Sequence, residues 1–245
     1  MREIVYNSDK VNLDDGVFFG RGVFETIYSG EKLVFLKEHI NRLKSSMELL
    51  YMKELEEEML INFLNSNKFI EGALKILVTD KNIIITQRKS PYNEESYKKG
   101  FNITYSNVLR NSTSLLTSIK STNYIENILE KQKASKNGYN DVVFFNEKGF
   151  VSETSWANIF IVKDNKIVTP HKNDGLLGGI IRNWILVNFD VCEKSITKEE
   201  LENADEVFLT NSLMGIMSVN KLNNIKFRLR DKSEIITEAY EKVKK

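Results

Sequence analysis

The 245-residue chain holds a single cysteine, Cys192, and two histidines, His39 and His171. One cysteine cannot close an internal disulfide, and its scarcity fits a reducing compartment. Two histidines without a Cys/His cluster leave little from which to build a His-based metal site. A Ser-His-Asp hydrolase would need a Gly-x-Ser-x-Gly elbow, which is missing. Charge of either sign is not in excess: 35 Lys and Arg meet 34 Asp and Glu, for a formal net charge of +1. No basic stripe suited to nucleic acid follows from that balance. The opening Met-Arg-Glu-Ile-Val-Tyr-Asn-Ser-Asp-Lys is too polar for a signal peptide. No apolar run reaches the ~20 residues that span a bilayer. The expectation is a soluble, cytoplasmic protein with no membrane or nucleic-acid partner.

What is present is ordinary globular composition, 41% hydrophobic and 28% charged, in a chain long enough for one large or two modest domains. Val23–Tyr28 and Leu33–Leu36, parted by Ser29-Gly30-Glu31, read as a hairpin. A helix follows over Lys37–Tyr51, with Leu36, Ile40, Leu43, Met47 and Leu50 at helical spacing and His39 and Arg42 as neighbours in its first turns. A second helix spans Glu54–Asn67, and Gly72–Thr79 with Ile83–Gln87 make another hairpin. A strand is expected at Phe101–Tyr105. Helices on one side of strands give the first half an α+β layer. Asn107–Thr117, rich in Asn, Ser and Thr, reads as a linker.

Beyond it, Tyr124–Asn137 is helical, with Ile125, Ile128 and Leu129 inward and Gly138 as C-cap. Strands are expected at Asp141–Phe145, Val151–Ser152 and Trp156–Val162. A glycine-rich stretch, Gly175 to Arg182, enters an apolar helix over Asn183–Phe189; such an entry offers backbone N–H groups and a positive dipole end to a phosphate. Thr197-Lys-Glu-Glu200 fits a capping box. Glu206–Leu209 is a short strand, and a last helix covers Ser233–Val243. The expected fold is α/β (α+β) with two domains: residues 1–106, a linker over 107–117, and a larger domain over 118–245.

Lys120 stands where the linker meets a helix. A lysine so placed can project into an enclosed site and form a Schiff base with an aldehyde cofactor. Its company supports that role. Gly20–Thr26, Glu38–Leu43, Lys120–Tyr124, Val151–Phe160, Gly175–Arg182 and Asp205–Ser212 together, in this order, resemble the class IV aminotransferase family, the fold-type IV pyridoxal-phosphate enzymes. The resemblance runs from about Asp15 to Val219. It implies pyridoxal 5′-phosphate as cofactor, a homodimer, and a larger C-terminal domain with a β-barrel-like core. By resemblance Lys120 is the catalytic lysine, Glu153 faces the pyridine nitrogen, and Arg42 binds the phosphate with the backbone of Ile180 and Ile181 and the hydroxyl of Ser212. Leu177 packs on the ring. Many relatives carry threonine where Ile181 stands, so only the amide remains at that position. A proline usual before Val219 is replaced by Ser218.

The family divides into branched-chain aminotransferases, D-amino-acid aminotransferases and 4-amino-4-deoxychorismate lyases. Asn211-Ser-Leu-Met-Gly215 replaces the Gly-Thr-Ala-Ala typical of the first. Arg88-Lys-Ser-Pro-Tyr-Asn-Glu-Glu95 lacks the Arg/His pair of the second. The Asn211–Gly215 string, the Arg110–Leu129 stretch and the modest length look like the lyase branch. Conversion of aminodeoxychorismate to 4-aminobenzoate and pyruvate is therefore the expected reaction. Transamination of branched-chain or D-amino acids is the alternative, and a non-catalytic binding protein on this fold a lesser one. Thr26, Tyr28, Arg88 and Asn211 are the expected substrate contacts, with Lys89 and Tyr92 as further candidates; alternation along β-structure puts Phe24, Thr26 and Tyr28 on one face.

Overall fold

A computed structural model describes Met1–Lys245. The chain divides into two compact units: Met1–Pro91 with Ile119–Asn123 and Val243–Lys245, and Tyr92–Ser118 with Tyr124–Lys242.

The first unit contains β1 (Glu3–Tyr6), α1 (Asp15–Phe19), β2 (Val23–Ser29), α2 (Leu36–Leu49), α3 (Glu57–Ser66), β3 (Gly72–Val78) and β4 (Asn82–Arg88). Its four strands form one sheet in the order β1-β4-β3-β2. Alternation along the strands gives the sheet two unlike faces. Val23, Ile27, Leu74, Ile76, Val78, Ile83 and Ile85 point to one side, where they pack with Ile40, Leu43 and Met47 of α2 and Leu60 and Leu64 of α3. Each such side chain contributes about 1.5–3 kcal/mol by leaving water, so this face holds the unit together. The other face carries Phe24, Thr26, Tyr28, Lys75, Thr86 and Arg88.

Asp14 ties the turn ahead of α1 to the far end of the β3–β4 hairpin. One carboxylate oxygen caps the helix by accepting from the N–H groups of Gly16 and Val17. The other accepts from the Thr79 hydroxyl at 2.6 Å and the Lys81 N–H at 2.8 Å.

The second unit contains α4 (Glu94–Lys99), β5 (Phe101–Arg110), α5 (Leu115–Ser118), α6 (Ile125–Lys136), β6 (Asp141–Asn146), β7 (Val151–Thr154), β8 (Asn158–Lys163) and β9 (Lys166–Thr169). After a short 3-10 turn come α7 (Ile180–Asn188), β10 (Val191–Glu193), α8 (Lys198–Glu202), β11 (Glu206–Asn211), β12 (Gly215–Leu222), β13 (Ile225–Lys226) and α9 (Asp231–Lys244). A nine-stranded sheet runs β10-β9-β8-β11-β12-β5-β6-β7, with β13 beside β12. Its two ends meet: the N–H of Val151 on β7 donates to the carbonyl of Ile196, just past β10, at 2.8 Å. One core cluster accordingly gathers Val151, Ile159, Val207, Met217 and Ile103 from strands spread across the sheet. The sheet is thus curled on itself, as a barrel-like core requires.

Several expectations change. The Leu33–Leu36 strand reduces to a single bridge between Ser29 and Leu33, because Leu36 already opens α2. The division falls at Pro91/Tyr92 instead of residue 106, since β5 pairs with β6 and β12 of the second unit. Residues 107–110 of the expected linker belong to β5, and α5 occupies part of the remainder. The helix after Lys120 turns a different face inward. Ile125 and Leu129 are exposed, while Asn127, Glu130 and Ala134 are buried. The polar pair is buried because it is bonded: Asn127 donates to the Ser155 carbonyl at 2.7 Å, and Glu130 accepts from the Ser106 hydroxyl at 2.8 Å. The capping box at Thr197 and Glu200 is present as expected.

Replacing Asp14 by Ala leaves the Thr79 hydroxyl and the Gly16 and Lys81 N–H groups without their acceptor. A loss of roughly 2–3 kcal/mol is expected in urea unfolding at neutral pH.

Candidate active site

In the first unit the chain returns for five residues to lay Lys120 along β2. The Phe24 N–H donates to the Lys120 carbonyl at 2.8 Å, and the Thr122 N–H donates to the Gly22 carbonyl at 2.9 Å. The Thr122 hydroxyl and the Asn123 side-chain amide both donate to the Gly20 carbonyl, at 2.6 and 2.9 Å. Gly20 has φ 69, and a Cβ there would come within 2.7 Å of the Asn123 amide oxygen, so the turn needs glycine. With its backbone fixed this way, Lys120 is half-buried and its Nζ stands 4.6 Å from the centre of the Phe24 ring.

On the opposite face of the same strand lies Glu25, buried at a position where alternation calls for an apolar residue. α2 supplies its partners. Arg42 donates from Nε to Oε1 at 2.7 Å and from Nη2 to Oε2 at 2.6 Å, a bidentate pair. His39 Nδ1 lies 2.6 Å from Oε2. Burial pushes the Glu25 carboxyl up, but the Arg42 charge and the hydrogen bonds from Arg42 and His39 outweigh it and hold the group down at about 2. Burial pushes His39 below the usual imidazole range; the hydrogen bond and charge of Glu25 oppose this, but the Arg42 and Lys120 charges add to burial and the neutral form prevails at pH 7. A neutral imidazole donating from Nδ1 to Glu25 leaves Nε2 as a buried acceptor, and that atom has no hydrogen-bond partner. Arg42 is therefore set in a fixed orientation with 15% of its side chain exposed.

The second unit carries Glu153 on β7, all of whose residues are buried. Its Oε2 accepts from the Leu177 N–H at 3.2 Å, and its Oε1 stands 3.9 Å from Arg110 Nη2. Arg110 is itself placed by Glu126 at 2.8 Å and by stacking on Phe144, 3.8 Å from that ring's centre. Leu177 is buried, and its carbonyl accepts from Asn158 at 2.8 Å. Asn158 also presses on Gly179, where a Cβ would come 2.0 Å from the amide oxygen. Glycine is thereby imposed at the N-cap of α7, and no side chain caps that helix. Ile180 and Ile181 form its first turn. Ser212 sits in the turn after β11, half-buried, and Thr210 two residues earlier has a buried hydroxyl with no partner.

Of the expected residues, Lys120, Arg42, Thr26, Tyr28 and Arg88 fall in the first unit, and Glu153, Leu177, Ile180, Ile181, Asn211 and Ser212 in the second. Asn211 is committed to its own turn, accepting from the N–H groups of Leu213 and Met214 and donating to the Trp156 carbonyl. Tyr28 donates to Glu71 at 2.8 Å. Tyr92, expected as a candidate substrate contact from the smaller domain, belongs to the second unit and packs on Phe101 in its core. Two residues escaped sequence reasoning: Glu25 and Arg110. Only Glu25 left a signal, as a charge in the inward slot between Val23 and Ile27.

With this geometry in view, the comparisons give the class. Residues 22–222 match the family described as amino-transferase class IV, and the chain belongs to that family. A Methanocaldococcus jannaschii protein provisionally named a branched-chain-amino-acid aminotransferase is 29% identical, over 94% of this chain and 88% of its own. A Bacillus licheniformis D-alanine aminotransferase is 30% identical, over 86% and 82%. A solved Legionella pneumophila structure, provisionally described as a 4-amino-4-deoxychorismate lyase, superposes with a TM-score of 0.88 at 28% identity, covering 98% of this chain and 99% of that one.

The family's cofactor is pyridoxal 5′-phosphate, and a Mycobacterium tuberculosis protein of the same fold, described as a hypothetical aminotransferase, has been solved in its PLP-bound form. That group asks for an amine at its aldehyde, a carboxylate at its pyridine nitrogen and donors at its phosphate. Groups of that chemistry are present in each unit: Lys120 and the oriented Arg42 in the first, and the buried Glu153, the uncapped start of α7 and the unpartnered Thr210 hydroxyl in the second.

The Glu25 network gives the protein an acid-sensitive element. Because the folded carboxyl is held near 2, below its usual 4.5, its contribution is complete above pH 4.5 and is lost as pH falls towards 2. The amount at stake is on the order of 3 kcal/mol. His39 adds to the loss below its normal range, because its folded form resists protonation. Unfolding free energies measured from pH 7 to pH 3 should fall along this limb. Glu25→Gln should start lower at pH 7 and show a shallower acid limb.

Proposed function

We propose that this protein is a pyridoxal-phosphate-dependent lyase that converts 4-amino-4-deoxychorismate to 4-aminobenzoate and pyruvate. The observation that carries the reading is the end-to-end match with the Legionella structure, in which neither chain has more than a few unmatched residues. The Asn211–Gly215 turn, whose sequence resembles the lyase branch, supports it.

When bound, the cofactor supplies an electron sink for the pair left by breaking the substrate's C–H bond. The protein's residues divide the remaining work. Lys120 holds the cofactor before substrate arrives, and its Nζ then takes the proton from C4. Backbone bonds to β2 hold that amine's carrier in place, so little ordering entropy is lost at the reacting step. Glu153, its oxygens fixed by the Leu177 N–H and by Arg110, keeps a proton on the pyridine nitrogen. Arg42, oriented by Glu25, anchors the phosphate together with the N–H groups of Ile180 and Ile181 and the Ser212 hydroxyl. Loss of the C4 proton and of the C3 enolpyruvyl ether leaves an aromatic ring. The departing enolate takes up a proton to become pyruvate, so no second substrate is consumed.

The protein acts as a cytoplasmic homodimer in this reading. Phe18 and Phe19 on α1, 63% and 77% exposed beside an exposed Leu13, offer an apolar patch of the kind a partner covers. A second reading, transamination of branched-chain or D-amino acids, is favoured by the names of the Methanocaldococcus and Bacillus relatives.

The test is an assay of yellow, cofactor-loaded protein with enzymatically generated aminodeoxychorismate, following 4-aminobenzoate and pyruvate. Equimolar products are expected, with a fall of roughly 10³-fold in Lys120→Ala. No product from loaded protein, together with turnover of D-alanine or leucine against 2-oxoglutarate, would replace the lyase with the second reading.

A further inference from the structure

The chain has two tryptophans, both in the second unit, and the fold treats them differently. Trp184 on α7 meets Phe189 and Tyr240, whose ring centres lie 5.8 and 5.6 Å away. Trp156 stands in the turn between β7 and β8, backed by the Tyr124 ring at 5.5 Å and left 40% exposed. An indole has a broad apolar face, and keeping it open gives up stabilisation that burial would supply.

Looseness does not account for this exposure. Turns are ordinarily more mobile than the strands they join, but this one is tied down residue by residue. The Trp156 carbonyl accepts from Asn211 at 3.2 Å, and the Ser155 carbonyl accepts from the buried Asn127 at 2.7 Å. Ser155 also donates to the buried Asp141, from its N–H at 3.2 Å and from its hydroxyl. The Thr154 hydroxyl closes the turn, donating to the Ala157 carbonyl and accepting from the Ala157 N–H, each at 3.0 Å. Side chains from α6, β6 and β11 are thus committed to holding four residues still. The turn springs from Glu153 and ends at Asn158, and both of its feet bear on Leu177: the Leu177 N–H donates to Glu153, and its carbonyl accepts from Asn158. Trp156 is therefore fixed on the frame that carries Glu153. A rigid aromatic face there is ready for stacking, because its ordering is completed by folding and not by binding. A ring presents a matching face to it, and a short alkyl chain does not.

We propose that Trp156 is a specificity-determining residue: its indole stacks on the six-membered ring of the substrate and favours cyclic amines over acyclic amino acids. The proposal deepens the lyase reading and rests on it for the shape of the substrate, a cyclohexadiene that leaves as a benzene ring. Asn211, Asn127 and Asp141 are then positioning residues, acting through the backbone of the turn.

The test compares cofactor-loaded wild-type protein with Trp156→Ala, Trp156→Leu and Trp156→Phe. Asn211 holds residue 156 by its carbonyl, so all three variants keep that bond. Calorimetry measures binding of chorismate and of 4-aminobenzoate, and product formation gives KM and kcat. Trp156→Ala and Trp156→Leu are expected to weaken both ring ligands and raise KM roughly 5- to 50-fold, while affinity for pyridoxal phosphate stays as in wild type. Leucine keeps apolar bulk without a flat face, so its loss isolates stacking. Trp156→Phe, which keeps a flat face, should remain within about 3-fold of wild type. Ring affinity unchanged in Trp156→Ala and Trp156→Leu, a loss matched by an equal loss of cofactor affinity, or no measurable binding of either ring ligand to wild-type protein would overturn the assignment. Failure of the lyase reading shows itself separately, as loaded wild-type protein that forms no 4-aminobenzoate. Phenylalanine and leucine are then compared as amino donors to 2-oxoglutarate: a fall in kcat/KM confined to phenylalanine in Trp156→Ala supports the stacking role, and equal falls refute it.

Discussion

One backbone hydrogen bond, from the Phe24 N–H to the Lys120 carbonyl, organises the first unit's chemistry. β2 is the edge strand of its sheet, and an edge strand presents unpaired N–H and C=O groups that must be covered. The chain covers them with five residues from its own midpoint. Satisfying the edge and fixing the lysine proposed to react are therefore one event. A lysine on a loose loop would have to be ordered at each turnover; this one is ordered by folding.

The same strand separates two electrostatic tasks by alternation. Glu25 points into the helix-covered side and clamps Arg42 and His39, while Phe24 and Thr26, one residue to either side, point the other way towards Lys75 and Lys120. A one-residue slip of β2 would exchange the two sets and bury the lysine face against α2. The bulk of Val23, Ile27 and their partners in the core forbids that slip. Hydrophobic packing on one side of the sheet thereby holds the charge pattern on the other.

How much of this could be read from sequence depended on the kind of signal. α2, α7 and the β3–β4 hairpin were legible because their apolar residues recur at a clean period, and the Thr197 capping box because its two partners lie three residues apart. α6 misled because hydrophobicity is only a proxy for burial; Asn127 and Glu130 go inward on the strength of bonds to Ser155 and Ser106, residues distant in the chain. The domain boundary shifted because nothing local says that β5 pairs in parallel with β12, over a hundred residues later. Lys120, Glu153 and Arg42 stood out only as parts of ordered motifs. Trp156 had no such frame: at the head of an apolar run it reads as the start of a strand until the turn is seen to hold its ring partly exposed.

The place of β12 in the large sheet bears on how the protein is made. The four strands β10-β9-β8-β11 and the three strands β5-β6-β7 are joined through it on one side, while the Val151–Ile196 bond closes the other. Residues 215–222 leave the ribosome after all of those strands. A nascent chain stopped short of them would hold two half-sheets, each with an open apolar edge and no template for the other. Until that late strand is threaded between β11 and β5, both open edges present unpaired backbone groups to which other chains can pair.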